Sequence, residues 1–164
     1  DEIEKGLASG SSDADGGVSR RVLGYLLTWM AERTSRVFLV ATANQVHDLP
    51  PELLRKGRFD ETFFVDLPNA ETRVEVFRLH LTKRKVDMAA LDLPTLAAAC
   101  DGFSGAEIEQ AIVSALYAAR AAHGPLTQDE LLAELHNTKP LSVLMAEQVQ
   151  GLREWAAGRT VAAD

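Results

Sequence analysis

The hydrophobic pattern of the chain changes character at Pro68. Upstream, Val37-Phe38-Leu39-Val40-Ala41 is a short apolar run of β-formers without alternation, the pattern of a strand covered on both faces in a parallel sheet. A second run, TFFVDL, predicts a strand over 62–67 that Pro68 closes. Before the first strand, residues 18–33 place Val18, Val22, Leu26, Trp29 and Met30 near one face and predict an amphipathic helix. Between the strands, Pro50-Pro51 opens a short helix over 51–55 that Gly57 ends. Helix, strand, helix, strand with polar loops at the strand exits is the grammar of an α/β layer.

Downstream of Pro68 the pattern changes to helices only. Helices are expected over 70–84, 93–100, 104–122, 128–137 and 141–157. Asp92 can cap the second, with Pro94 in its first turn. Ser104 with Glu107 and Thr127 with Glu130 each fit a capping box, in which two side chains satisfy free amides at a helix start. The tail 159–164 is expected to fray. The chain therefore divides into an α/β portion, 1–68, and an all-helical portion, 69–164.

Composition bounds the function. With 46% apolar and 25% charged residues, the 164-residue chain has an ordinary globular balance, which excludes bulk disorder. No run approaches ~18 apolar residues, so no membrane span is expected. A single cysteine cannot form an internal disulfide or a cysteine-based metal site and fits a reducing cytoplasm. A net charge of −7 argues against a general nucleic-acid binder, and the Lys83-Arg84-Lys85 run reads as a solvated helix end. The chain opens at Asp1 without an initiator Met and reads as an internal start.

Five short features stand at loops or in helices of the expected fold. They are the Asp1-Glu2 carboxylate pair, Asn44 past the first strand, Arg55 and Arg58 around Gly57, His80 late in a helix, and Gly102-Phe103-Ser104-Gly105-Ala106-Glu107 at a helix start. Each has an ordinary structural explanation: a solvated end, a turn residue, cations at a helix C-terminus, a packed histidine, an N-cap.

Their order and spacing resemble the C-terminal part of the AAA family of ATPases. DEIEKG resembles the end of that family's second nucleotide motif, VATANQ the first sensor, LRKGRFDE the second region of homology with its arginine fingers, and GFSGAEIEQA the start of the lid helix. The resemblance covers roughly residues 1–122. LLTWM, VATANQVHDLPPELLRKGRFDETFFVDLP and the tail from Pro140 resemble, more narrowly, a poorly characterised AAA group of bacteria and algal plastid genomes.

The resemblance implies a fold and a set of roles. The fold is the C-terminal half of a P-loop NTPase parallel-sheet subdomain followed by a helical lid. Asp1 matches the Mg²⁺-side carboxylate, Glu2 the general base and Asn44 the sensor of the attacking water. Arg55 and Arg58 match fingers that reach the ATP of a neighbouring subunit. His80 matches a lid contact to the ribose or base, and Gly105 and Ala106 match small residues where the lid backbone approaches nucleotide. ATP and Mg²⁺ are the implied ligands, and a ring of copies (a hexamer) acting on a protein partner the implied assembly. Residues 6–17 fall where the family places a pore loop. Lys56 stands where proline is commoner, and Glu61 where many relatives have a basic residue.

GxxxxGK[ST], the loop that cradles phosphates with backbone amides and a lysine, occurs nowhere in the sequence. The chain is therefore expected to be a fragment without hydrolytic activity of its own. The resemblance puts a further strand between the two predicted here, so the α/β portion is expected to be marginal and the helical portion self-sufficient. A non-catalytic helical interaction module derived from such an ATPase would also account for the missing loop. A DNA-handling ATPase fits less well, because the chain is acidic and has no basic recognition helix.

Overall fold

The computed structural model describes residues 1–7, 16–55 and 57–163. In chain order the elements are α1 (Ile3–Leu7), α2 (Gly16–Glu32), a 3-10 turn (Val46–Asp48), β1 (Phe63–Phe64), α3 (Ala70–Lys83), α4 (Leu93–Ala99), α5 (Gly105–Ala121), α6 (Gln128–Asn137), α7 (Leu141–Leu144), α8 (Ala146–Ala156) and β2 (Val161–Ala162). β1 and β2 form a two-stranded sheet. The Val161 amide donates to the Thr62 carbonyl (3.0 Å) and the Ala163 amide to that of Phe64 (3.1 Å), so the strands run parallel. The tail expected to fray is thus held by sheet pairing. The chain forms two compact units, Asp1–Phe63 with Gly158–Val161, and Phe64–Ala157 with Ala162–Asp164.

In the helical unit, α3 to α6 close around Phe77, Leu81, Leu96, Cys100, Ile108, Ile112, Leu131 and Leu135, all fully buried. The expected caps form. Asp92 accepts from the Thr95 amide and both capping boxes are closed, and Asn69, a cap the sequence reading did not name, accepts from the Thr72 amide. Arg73 is buried as a staple: its guanidinium donates to the carbonyls of Ala97 and Pro68 (2.9 Å each) and meets Asp101 at 3.0 Å. Burial pushes the Cys100 thiol up to about 11, which leaves it an inert core group.

The helix expected over 141–157 is broken at Met145 into α7 and α8. Each piece has its own anchor. The Glu107 carboxylate accepts from the Leu141 amide and Ser142 donates to the Gly102 carbonyl, while Arg153 forks onto Asp66. Gly102 has φ +77°, and a Cβ there would lie 2.7 Å from Ser142 Oγ, so glycine is required twice over.

The other unit is thinner. Among the described residues its buried apolar side chains are Leu7, Met30 and Leu53. α2 forms, but the expected stripe is wrong in part. Leu23, Leu26, Leu27 and Met30 face the core, whereas Val18, Val22 and Trp29 are exposed. Both sets have helical spacing, and packing chose between them. The strand expected over 37–41 is an extended segment without ladder pairing; Phe38 is 93% exposed and Val40 71%. The strand expected over 62–67 shortens to Phe63–Phe64. The helix expected over 51–55 is a series of three-residue turns, with Leu53 bonded to Pro50 and Leu54 to Pro51. A strand exists only where a neighbour supplies the complementary groups, and among the described residues none lies beside 37–41. The pore-loop expectation falls largely on 8–15, and the Lys56 departure on 56, outside the described residues. Among the described residues no helix is long and apolar enough to cross a membrane.

Two outcomes follow from this difference. Phe77→Ala should cost ~3–5 kcal/mol in urea unfolding of the helical unit, the range for removing a buried ring. Amide exchange should be slow in α3–α6 and fast in 36–43; equal protection of the two regions would contradict the description.

Candidate functional site

The first turn of the chain and the segment after the extended run meet through side chains forty residues apart. Thr42 Oγ1 donates to Asp1 Oδ1 and accepts from the Glu2 amide (3.0 Å), and the Ile3 amide donates to the Thr42 carbonyl (2.9 Å). These bonds hold Glu2 at φ +49°, a left-handed conformation uncommon for a residue with a side chain. Its carboxylate is thereby turned toward Asn44, whose Nδ2 donates to Glu2 Oε1 at 2.9 Å. Glu2 Oε2 takes the Lys5 ammonium at 2.7 Å, which holds that ammonium above its ordinary range. Asp1, Glu2 and Asn44, all singled out by sequence, therefore form one cluster.

Thr42 and Glu4 belong to the same cluster and were not singled out. Glu4 is 3% exposed; its Oε1 accepts from the amides of Asn44 (3.0 Å) and Gln45 (3.4 Å). Burial pushes its carboxyl up, but backbone hydrogen bonds, those of Asn44 and Gln45 among them, together with the Lys5 charge outweigh that and hold it below the ordinary carboxylate range. The available signal was a carboxylate in a turn whose neighbours Ile3 and Leu7 face inward.

The two arginines differ. Arg55 is exposed on the turn that Gly57 permits with φ +89°, and its side chain bonds to no described residue. Arg58 is half-buried, and its guanidinium donates to the Leu27 carbonyl of α2 at 2.9 Å.

The remaining candidates line the contact of α3 with α5. Val76 and His80 are one turn apart on α3, as are Gly105 and Glu109 on α5. A Cβ at Gly105 would meet only the Val76 methyls, at 4.0 Å, so protein packing does not demand glycine there; Ala106 is exposed. His80 Nδ1 lies 3.2 Å from Glu109 Oε1, which also accepts from Arg84 at 2.7 Å. The Arg84 hydrogen bond holds the Glu109 carboxyl below its usual range. Next to Gly105, Glu107 accepts from the Ser104 amide, the Ser104 hydroxyl and the Leu141 amide. Burial works against these bonds, and the bonds prevail, so the Glu107 carboxyl is depressed. Among the described residues no three His, Cys, Asp or Glu side chains gather as a metal cage.

The family matches make this chain part of a P-loop nucleoside triphosphatase with its lid. The chain belongs to the AAA family. Residues 1–67 match the family described as "ATPase family associated with various cellular activities (AAA)" and residues 90–133 the "AAA+ lid domain". It is 42% identical, over 95% of its length, to the "Uncharacterized AAA domain-containing protein ycf46" of Pyropia yezoensis, covering 32% of that protein. It is 39% identical, over 73% of its length, to a "Proteasome-activating nucleotidase" of Sulfurisphaera tokodaii, covering 31% of it. The chain thus spans about a third of the length of the curated relatives it matches. The crystal structure of the FIGL-1 AAA domain in complex with ADP superposes with a TM-score of 0.78 over 97% of this chain and 56% of that one; at 18% identity the likeness is one of fold. The fold is the C-terminal half of the AAA parallel-sheet subdomain followed by its helical lid.

Two measurements test the geometry. Arg58→Ala should speed amide exchange along α2 about fivefold, the equivalent of a hydrogen bond of ~1 kcal/mol, whereas Arg55→Ala should leave it unchanged. The bonds to the Glu107 carboxylate place its folded pKa below its unfolded value of about 4.3, so its contribution is full above that value and is lost as pH falls through the folded one. Melting of Glu107→Gln should therefore depend less on pH below about 5 than that of the wild type.

Proposed function

We propose that this chain is the part of an AAA ATP hydrolase that supplies the water-activating carboxylate, the sensor, the arginine fingers and the lid. The whole enzyme is read as a ring that remodels a protein partner and does not act on nucleic acid. The observation that carries the reading is the 2.9 Å hydrogen bond between Asn44 and Glu2, beside Asp1. ATP hydrolysis needs a base and an orienting group on one water, and these two side chains already share one locus.

In this reading Glu2 takes the proton of the attacking water. Both of its oxygens are engaged, by Lys5 and Asn44, so one contact opens to admit the water. Asn44 then holds that water by its amide. Mg²⁺ would neutralise charge on the phosphates, and Asp1 would hold it. The residues fit: this ion is held by one or two carboxylates with phosphate and water, and Asp1 Oδ2 has no bond to a described residue. Exposed Arg55 reaches the phosphate of the neighbouring protomer. Arg58, tied to Leu27, also braces the turn that presents Arg55. His80 contacts ribose or base, and the small residues Gly105 and Ala106, which protein packing does not require, leave room for nucleotide.

The sequence carries no phosphate loop, so the chain by itself is proposed to be inactive and to act as a fragment of a larger protein in the cytoplasm. The name of the Sulfurisphaera tokodaii relative, a nucleotidase that activates the proteasome, supports hydrolysis coupled to a protein partner. A second reading, a helical interaction module without catalysis, is favoured by the closed core of the helical unit.

ATP turnover by the full-length protein separates the two. Glu2→Gln should lower kcat by ~10²–10⁴-fold with little change in KM, and wild-type turnover in that variant would remove Glu2 from its role. Doping Arg55→Ala subunits into the ring should reduce activity more than in proportion; strictly proportional loss would argue against fingers in trans.

A further inference from the structure

We infer that Glu4 is a positioning residue for Asn44: its buried carboxylate clamps the backbone of the Asn44–Gln45 segment so that the Asn44 amide meets Glu2. The inference rests on the catalytic reading of Glu2 and Asn44.

A carboxylate at 3% exposure is out of place in a small apolar core unless its partners repay the loss of water. The Lys5 ammonium adds a favourable charge, but its ion pair is with Glu2. The partners of Glu4 are two backbone amides, those of Asn44 and Gln45, and both bonds go to the same oxygen, Oε1. The other oxygen, Oε2, is buried and has no hydrogen-bond partner among the described residues. A side chain present only for packing would be apolar here, like its neighbours Ile3 and Leu7. Glu4 instead reaches the one loop whose side chain touches Glu2.

The geometry makes the clamp effective. Glu2 and Glu4 lie two residues apart on one short turn, which the bond from Ile3 to Thr42 pins to the same segment. Glu2 takes the side chain of Asn44 and Glu4 its backbone, so the residue is gripped at two points from one rigid base. Removing the backbone grip lets the amide swing away while the fold of α1 keeps its other bonds. These backbone amides and the Lys5 charge favour the ionised Glu4 carboxylate. Glu4 does not reach the reacting atoms and takes no proton in this scheme.

The test is a double-mutant cycle in ATP turnover by the full-length protein. Glu4→Ala should lower kcat by about tenfold to a hundredfold, the scale of a small misplacement of a reacting group, with KM for ATP unchanged. In an Asn44→Ala background the same substitution should cost nothing further. Glu4→Gln keeps a carbonyl acceptor at the Oε1 position and should restore most of the loss. Independent, multiplying losses, or wild-type kcat in Glu4→Ala, would overturn the clamp. If Asn44→Ala itself turns over normally, the catalytic reading fails, and the clamp is then judged by nuclear magnetic resonance of the 164-residue chain. There the amide protons of Asn44 and Gln45 should titrate together, with one inflection below the ordinary glutamate value that vanishes in Glu4→Gln. Amides that do not titrate, or titrate separately, would overturn it.

Discussion

An extended chain can satisfy its amides and carbonyls only against a neighbour, whereas a helix satisfies most of them within itself. That difference orders this structure. α3 to α6 need nothing beyond their own caps and a shared apolar interior, and they close completely. The segment 36–43 has the composition of a sheet centre, but the backbone bond that ties it to α1 runs from Ile3 to Thr42 alone. Its side chains stay exposed at Phe38 and Val40 for the same reason. The cluster of Asp1, Glu2, Glu4, Thr42 and Asn44 sits at the end of this segment, where the chain turns from extended backbone to polar loop. Hydrogen bonds accepted by the Asp1 and Glu4 carboxylates and donated by the Glu2 amide do there what a sheet does elsewhere.

Features decided within four residues were legible in the sequence. Ser104 with Glu107, Thr127 with Glu130 and Asp92 with Thr95 are local pairs, and each forms as expected. Features decided by distant contacts were not. α2 offers two apolar faces, one through Leu23, Leu26, Leu27 and Met30 and one through Val18, Val22, Tyr25 and Trp29, and periodicity cannot rank them. The break at Met145 follows from anchors at Glu107, Gly102 and Asp66, far away in sequence. The short strand β1 depends on a partner almost a hundred residues later.

The same rule applies to the site. Residue type and spacing pointed to Asp1, Glu2 and Asn44 because each matches a family position. Thr42 and Glu4 escaped notice because their role is to hold others, across some forty residues of chain. The arginines show the converse. Sequence treats Arg55 and Arg58 alike, yet one is exposed and the other donates to the Leu27 carbonyl. Both lie within the region that matches the AAA family, and the local geometry gives them different surroundings.

The central claim is that Glu2 and Asn44 act on one water beside the phosphates of ATP. The most direct measurement is a structure of the full-length protein with Mg²⁺ and a non-hydrolysable ATP analogue. The account predicts a single water at the terminal phosphate within hydrogen-bond reach of both side chains, with the Lys5 or Asn44 contact to Glu2 opened. Nucleotide bound while Glu2 stays closed on Lys5 and Asn44, far from any phosphate, would contradict it.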